Sequence, residues 1–155
     1  MLTRSDTVFL IAILATSLAL GAALAHAFEL PHKIALPRDE YFIVQQIYSG
    51  WNRLAFVLLV EIGAMAAIVA IHRHHPPVRN AAALALASVI AAQVVFWIWT
   101  FPANSATANW TQKPDNWDQL RTQWEFSHLA GALLQFFALT ALTVALLRRR
   151  SGIAP

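Results

Sequence analysis

The chain has 155 residues, 58% of them hydrophobic and only 12% charged, with a formal net charge of +3. An average soluble domain is about 25% charged, so this composition excludes an ordinary water-soluble globule. The absence of cysteine excludes a disulfide framework, an iron–sulfur cluster and a thiolate-ligated haem, and the basic residues do not follow one continuous face, which excludes nucleic acid as a partner.

Four stretches hold most of the apolar content: residues 7–28, 54–71, 81–104 and 126–147, which together contain one formally charged side chain, Glu61. Each is close to the ~20 residues an α-helix needs to cross the hydrocarbon core of a bilayer. With their polar flanks included, the sequence predicts an all-α integral membrane four-helix bundle. It is one domain over residues 1–155, with helices over about 7–28, 41–72, 80–104 and 117–148. The lipid bilayer is then its first partner, and a bundle of this size also suits a homo-oligomer.

Helix one follows Arg4 and ends near His26 and Glu29, which are three apart and so share a face. The basic start, apolar run and triplet Ala25-His26-Ala27 also fit a secretory signal peptide, but the run exceeds the usual ~7–15 residues and is expected to remain as a span. Pro31 and Pro37 are expected to break the chain beyond it, and Asp39-Glu40 to open helix two. Helix two carries Glu61 on the stripe of Gly50, Leu54 and Val57. His72, His74 and His75, with Pro76 and Pro77, read as a solvated basic turn.

Helix three carries Gln93, Trp97, Thr100 and Asn104, spaced 4, 3 and 4. Pro102 and Pro114 punctuate the next connection, and Asp115-Asn116 opens helix four. There Arg121, Glu125, His128 and Gln135, spaced 4, 3 and 7, form one polar stripe on an otherwise apolar helix. Aligning Asp39-Glu40-Tyr41 with Asp115-Asn116-Trp117 places Tyr48 on Trp124 and Asn52 on His128, a faint internal repeat.

Lys and Arg enrichment marks cytoplasmic ends. Arg4, Arg73, Arg79 and Arg148 to Arg150 face one acid, Asp6, whereas the connections 29–53 and 105–125 hold five basic residues against six acids. Both termini are therefore expected in the cytoplasm, with the long connections outside, at the periplasmic face of a bacterial inner membrane.

Counted by helical rise from the cytoplasmic ends, Glu61, Gln93 and Gln135 lie roughly 20 Å up, in a buried polar layer near mid-bilayer. His26, Glu29, Asn104, Glu125 and His128 lie roughly 28–36 Å up, at the outer boundary. In the inner layer, Glu61 is expected as a neutral acid hydrogen-bonded to Gln93 or Gln135, fastening helices together. The outer layer has metal-ligand character, since Glu125-x-x-His128 has the spacing by which bundle di-iron proteins aim a carboxylate and an imidazole at one point. With His26-x-x-Glu29 opposite, the set His26, Glu29, Glu125 and His128 suits one or two transition-metal ions, iron, copper, zinc or manganese. The competing reading is an ion-pair network, Glu29 and Glu125 with Arg53 and Arg121.

The run Pro102-Ala103-Asn104, Asn109-Trp110, Pro114-Asp115-Asn116-Trp117, Leu120-Arg121, Trp124-Glu125 and His128 resembles the anthrone-oxygenase-like family of four-span membrane proteins. The first hairpin, His26-x-x-Glu29-Leu30-Pro31-x-Lys33 followed by Gln45-Gln46-x-Tyr48, is similar to the bacterial branch of that family. The resemblance implies four helices and, as in fungal members, oxidation of a polycyclic anthrone to an anthraquinone by dioxygen without an established cofactor. Asn104, Arg121, Trp124 and His128 match the family's positions, and His26 and Glu29 match the bacterial branch.

Two classes of function follow. In the first, a membrane oxidoreductase, an oxygenase, acts on a lipophilic phenol, anthrone or quinol. His128 is its general base, Glu125 or Glu29 orients the imidazole, Arg121 and Asn104 stabilise the anion, and Trp97, Phe101 and Trp124 line the substrate path. In the second, the bundle is non-catalytic: it binds a metal, or a haem ligated by His26 and His128, or serves as an accessory subunit of a membrane complex.

Overall fold

The computed structural model describes residues 2–151, which form helices and turns with no strand among them. Four helices are long and apolar enough to cross a membrane: Arg4–Lys33, Trp51–Ile71, Pro76–Ala106 and Trp117–Arg149. Only 22% to 33% of the most apolar window of each is buried. The remaining side chains, Leu14, Leu18, Phe56, Leu59, Leu133 and Phe137 among them, point outward. A bundle whose apolar residues face out as well as in fits contact with lipid hydrocarbon rather than water.

The helices are α1 (Arg4–Lys33), a short α2 (Arg38–Gln45), α3 (Leu54–Ile71), α4 (Pro76–Val95), α5 (Phe101–Ala106) and α6 (Trp117–Ser151). α1 packs on α3 and α6, and α4 packs on α3 and α6, so the long helices form a closed ring of four antiparallel neighbours. At the end that holds the termini, the core is Phe9, Met65, Ile68 and Leu142 set among alanines such as Ala12, Ala82, Ala85, Ala138 and Ala145. Small side chains there let the backbones approach closely, the usual basis of helix association in membranes.

Several expected helix boundaries shift for local reasons, while the start of the last helix at Trp117 stands as expected. α1 runs to Lys33, so Pro31 lies inside its last turn, where it forfeits one N–H bond to the turn before without ending the helix. Helix two is not continuous over 41–72. α2 and a 3₁₀ turn (Gln46–Tyr48) end at Gly50, whose φ of 87° reverses the chain before a second 3₁₀ turn (Trp51–Arg53) leads into α3. Pro76 and Pro77 belong to the first turn of α4, where a missing N–H costs nothing, rather than to the preceding basic turn.

Pro102 does not end helix three either. A π-turn over Phe96–Thr100 precedes it, with the Phe101 N–H donating to the Phe96 carbonyl five residues back, and the chain continues as α5. Such a wider turn is a common way for a helix to absorb a proline or a local insertion.

Candidate functional site

At the end away from the termini, the ring of helices opens around a polar and aromatic cluster. α1 carries His26, Glu29 and Lys33, spaced 3 and 4, on the face it turns inward. Lys33 is the centre. Its side chain is 3% exposed, and its Nζ lies 3.3 Å from Glu125 Oε1 and 3.5 Å from Glu29 Oε2. It donates to the Tyr48 hydroxyl at 2.8 Å and sits 4.5 Å from the centroids of both the Tyr48 and Trp124 rings.

The carboxylates continue the network outward. Tyr48 donates to Glu29, and Tyr41 donates to Glu125 Oε1 at 2.9 Å while accepting from Gln45 Nε2. Burial, followed by the neighbouring Glu125 charge, pushes the Tyr41 phenol above its ordinary range. Burial and the hydrogen bond to Glu29 do the same for Tyr48, so both phenols remain donors at neutral pH. Glu125 Oε2 and His26 Nδ1 are buried and have no hydrogen-bond partner among the described residues.

The two imidazoles lie against each other beside this network, with ring centroids 4.3 Å apart and planes tilted by 58°. His26 lies against Tyr48, Trp51 and Trp124, and His128 lies 3.8 Å from the Trp124 ring. His128 Nδ1 is 2.9 Å from the Trp124 carbonyl. A carbonyl can only accept, so in the neutral ring Nδ1 carries the proton and Nε2 is left as a base. Glu125 therefore does not orient His128, contrary to the sequence expectation. The backbone four residues earlier does.

Asn104 organises the far wall. Its Oδ1 accepts from Trp124 Nε1 at 2.8 Å and from Trp110 Nε1 at 3.1 Å. Trp110 reaches it because Ala108, Asn109 and Trp110 all have positive φ, 46°, 54° and 63°. Left-handed backbone at non-glycine residues costs roughly 1–2 kcal/mol each and persists only where surrounding contacts over-determine it. Here the Asn109 N–H donates to the Asn104 carbonyl at 2.7 Å and the Trp110 N–H to Thr107 Oγ1 at 3.0 Å. The two long connections are also tied together, through Gln46 Nε2 to the Trp110 carbonyl and Lys113 Nζ to Asp39 Oδ1.

The remaining expected site residues fall elsewhere. Arg121 donates to the Leu36 carbonyl at 2.8 Å and to Asp118, and its guanidinium covers the Trp117 ring, so it clasps the first connection to α6. Arg53 is exposed and pairs with no carboxylate among the described residues. The cation between Glu29 and Glu125 is Lys33 instead. Trp97 and Phe101, 59% and 46% exposed, stack on one another on the outer surface. A surface groove of about 410 Å³ does open onto Glu29 and Lys33, between Phe28 and His32 of α1 and Leu36, Val44 and Ile47 of the first connection.

Deeper in the bundle, Glu61 is fully buried and accepts from Gln135 Nε2 at 3.3 Å. Gln93 makes no such bond among the described residues, so the expected inner layer reduces to Glu61 and Gln135, beside Thr16, which donates to the Ala12 carbonyl of its own helix. Among the described residues no three His, Asp or Glu side chains converge as a metal-ligand group.

Lys33 was hidden because α1 was expected to stop at residue 28, which left the lysine among loop charges. The signal was its spacing, four after Glu29 and seven after His26. Comparison with the sequence profiles of known families, with curated proteins and with solved structures gives no match.

Proposed function

We propose that the protein is a membrane oxidoreductase of the oxygenase type, acting on a lipophilic phenol, anthrone or quinol at the His26–His128 pair. The observation that carries this reading is the hydrogen bond from His128 Nδ1 to the Trp124 carbonyl, which leaves Nε2 as a proton acceptor on a half-buried ring walled by indoles. A neutral imidazole held in one tautomer suits proton abstraction near pH 7. The resemblance of the Asn104 to His128 segment to anthrone oxygenases supports the same chemistry.

In the proposed reaction, His128 Nε2 takes a proton from an activated C–H, leaving a resonance-stabilised anion. Dioxygen, the oxidant, adds to that carbon, the proton returns to give a hydroperoxide, and loss of water leaves a new carbonyl. One substrate and one dioxygen yield one quinone and one water. Lys33, held between Glu29 and Glu125, offsets carboxylate charge that would otherwise oppose an anion beside His128. The groove at Phe28, Leu36, Val44 and Ile47 is a lipid-accessible route for an apolar substrate toward Glu29 and Lys33.

A second reading, a single transition metal at this end, draws on the unpartnered buried atoms Glu125 Oε2 and His26 Nδ1. The ligand set read from the sequence does not fit it as the residues stand, because both carboxylates converge on Lys33 Nζ and on tyrosine hydroxyls. No step is therefore derived through a metal. The orientation with both termini cytoplasmic and the site toward the periplasm is supported by the arginines at one end of the ring.

The test is oxygen uptake and quinone absorbance with purified protein, anthrone and a panel of lipophilic phenols. Turnover should fall by about 10²-fold or more in His128→Ala. Folded wild-type protein that consumes no oxygen with any of them would overturn the oxygenase reading, and stoichiometric metal lost in Glu125→Ala would establish the second.

A further inference from the structure

The end that holds the termini is drawn together by polar contacts between segments far apart in sequence. Ser5 Oγ lies 3.0 Å from His72 Nε2, Arg149 pairs with Asp6 at 2.6 Å, and Arg148 Nη1 donates to the Pro77 carbonyl at 3.4 Å. Arg79 Nη1 donates to the Arg73 carbonyl at 3.3 Å, which brings these two side chains to the same turn. Asp6 is the one acid at this end, and it is already held by Arg149 and by the Thr3 cap.

Among the described residues at this end, Arg73, Arg79 and Arg148 are consequently left without a counter-charge, as is Arg4. Arg73 bonds the His74 ring, Arg79 the Asn80 amide and a carbonyl, and Arg148 a carbonyl. No carboxylate lies within ion-pair distance of any of them among the described residues. At the opposite end the pattern is reversed except at Arg53, since Lys33, Arg38, Lys113 and Arg121 each pair with a carboxylate.

We propose that Arg73, Arg79 and Arg148 bind the phosphodiester headgroup of an anionic phospholipid. Guanidinium presents a planar fork that matches phosphate oxygens, and neutral hydrogen-bond partners are readily exchanged for a charged one. The choice of a lipid over a free anion rests on depth and surroundings. The three residues lie at the ends of the spans that finish at Ile71, begin at Pro76 and finish at Arg149, where headgroups lie. Exposed Ile71 and Leu147 flank them on the apolar side, where acyl chains would run. Basic residues at such a surface each favour anionic lipid by about fivefold in affinity. The proposal is independent of the oxygenase reading and of which side of the membrane this end faces.

The test is native mass spectrometry of the full chain released from mixed micelles of phosphatidylglycerol and phosphatidylcholine. Wild-type protein should retain phosphatidylglycerol selectively, and Arg73→Gln/Arg79→Gln/Arg148→Gln should lower that affinity by about 100-fold. Lys113→Gln, at the opposite end, should not change it. Helix content by circular dichroism checks the triple variant, and if it is misfolded the single variants should each lose about fivefold. Equal retention of both lipids, or unchanged retention in the folded variants, would overturn the proposal. So would displacement of the lipid by millimolar glycerol phosphate, which would make this a plain anion site.

Discussion

Around Met65 and Leu142 the four long helices meet through alanines and valines, and Glu61, an ionisable side chain buried near mid-span, accepts from the Gln135 amide beside Thr16. Around Lys33, at the other end of the same helices, Tyr41, Trp110 and Trp124 replace the alanines, and a lysine, two carboxylates, two phenols and two imidazoles are packed between them. The first region needs little beyond close backbone approach to hold together. The second requires strained loops, a broken helix and a π-turn to assemble, features that raise its local backbone cost while they seat Tyr41, Phe42, Trp110 and Trp124. Such local costs concentrate where geometry serves chemistry. That contrast locates the candidate site more firmly than any single residue does.

The comparison breaks most easily at Lys33. Lys33→Met should destabilise the protein by roughly 3–5 kcal/mol, because it leaves Glu29 and Glu125 facing each other without a buried cation. Lys33→Arg should recover part of the loss. Reversible unfolding in mixed micelles measures both, and a near-neutral Lys33→Met would mean that the aromatic shell alone holds this end.

Asn104→Ala should come next, at about 2–3 kcal/mol, since two buried indole N–H groups lose their common acceptor. The tryptophan emission spectrum should shift with it. If both indoles are released, a Trp110→Phe background should halve the spectral change, and if only Trp124 is released it should leave the change intact.

The smallest effect is expected in the other region. Glu61→Gln keeps the size of the side chain and its hydrogen-bonding capacity toward Gln135, and should leave stability and turnover nearly unchanged. Glu61→Leu should cost about 1 kcal/mol, the scale of polar contacts within membranes. A folded Glu61→Gln protein without turnover would move the chemistry to mid-span and dissolve the distinction between the two ends.

The four spans were legible because long apolar runs have few other outcomes, and the stripe of Glu125 and His128 was legible because α6 is an unbroken helix. The wall of the site was harder to read. Pro31 was taken as a stop, but it sits in a last turn, so α1 continues and brings Lys33 into the site. The stripe of Gln93, Trp97, Thr100 and Asn104 assumed a 3.6-residue period that the π-turn interrupts, and Trp97 faces outward while Thr100 is buried. The three left-handed residues at 108–110 contain no glycine to announce them.

The π-turn also bears on how this chain can change over evolutionary time. One residue more than an α-turn is accommodated between Phe96 and Thr100, so deletion of one residue there would restore a regular α-turn and leave the helix beyond it in nearly the same register. Asn104 would keep facing both indoles, whereas the same deletion in a regular α-helix would rotate everything beyond it by about 100°. Substitution at Trp97, Ile98 and Trp99 is of little consequence as well, because all three face outward, while Thr100 is buried against Ser127. Homologues that keep the site should therefore vary in side chain at 97–99 and carry either the π-turn or a single-residue gap at this place, with no gap elsewhere in the helix.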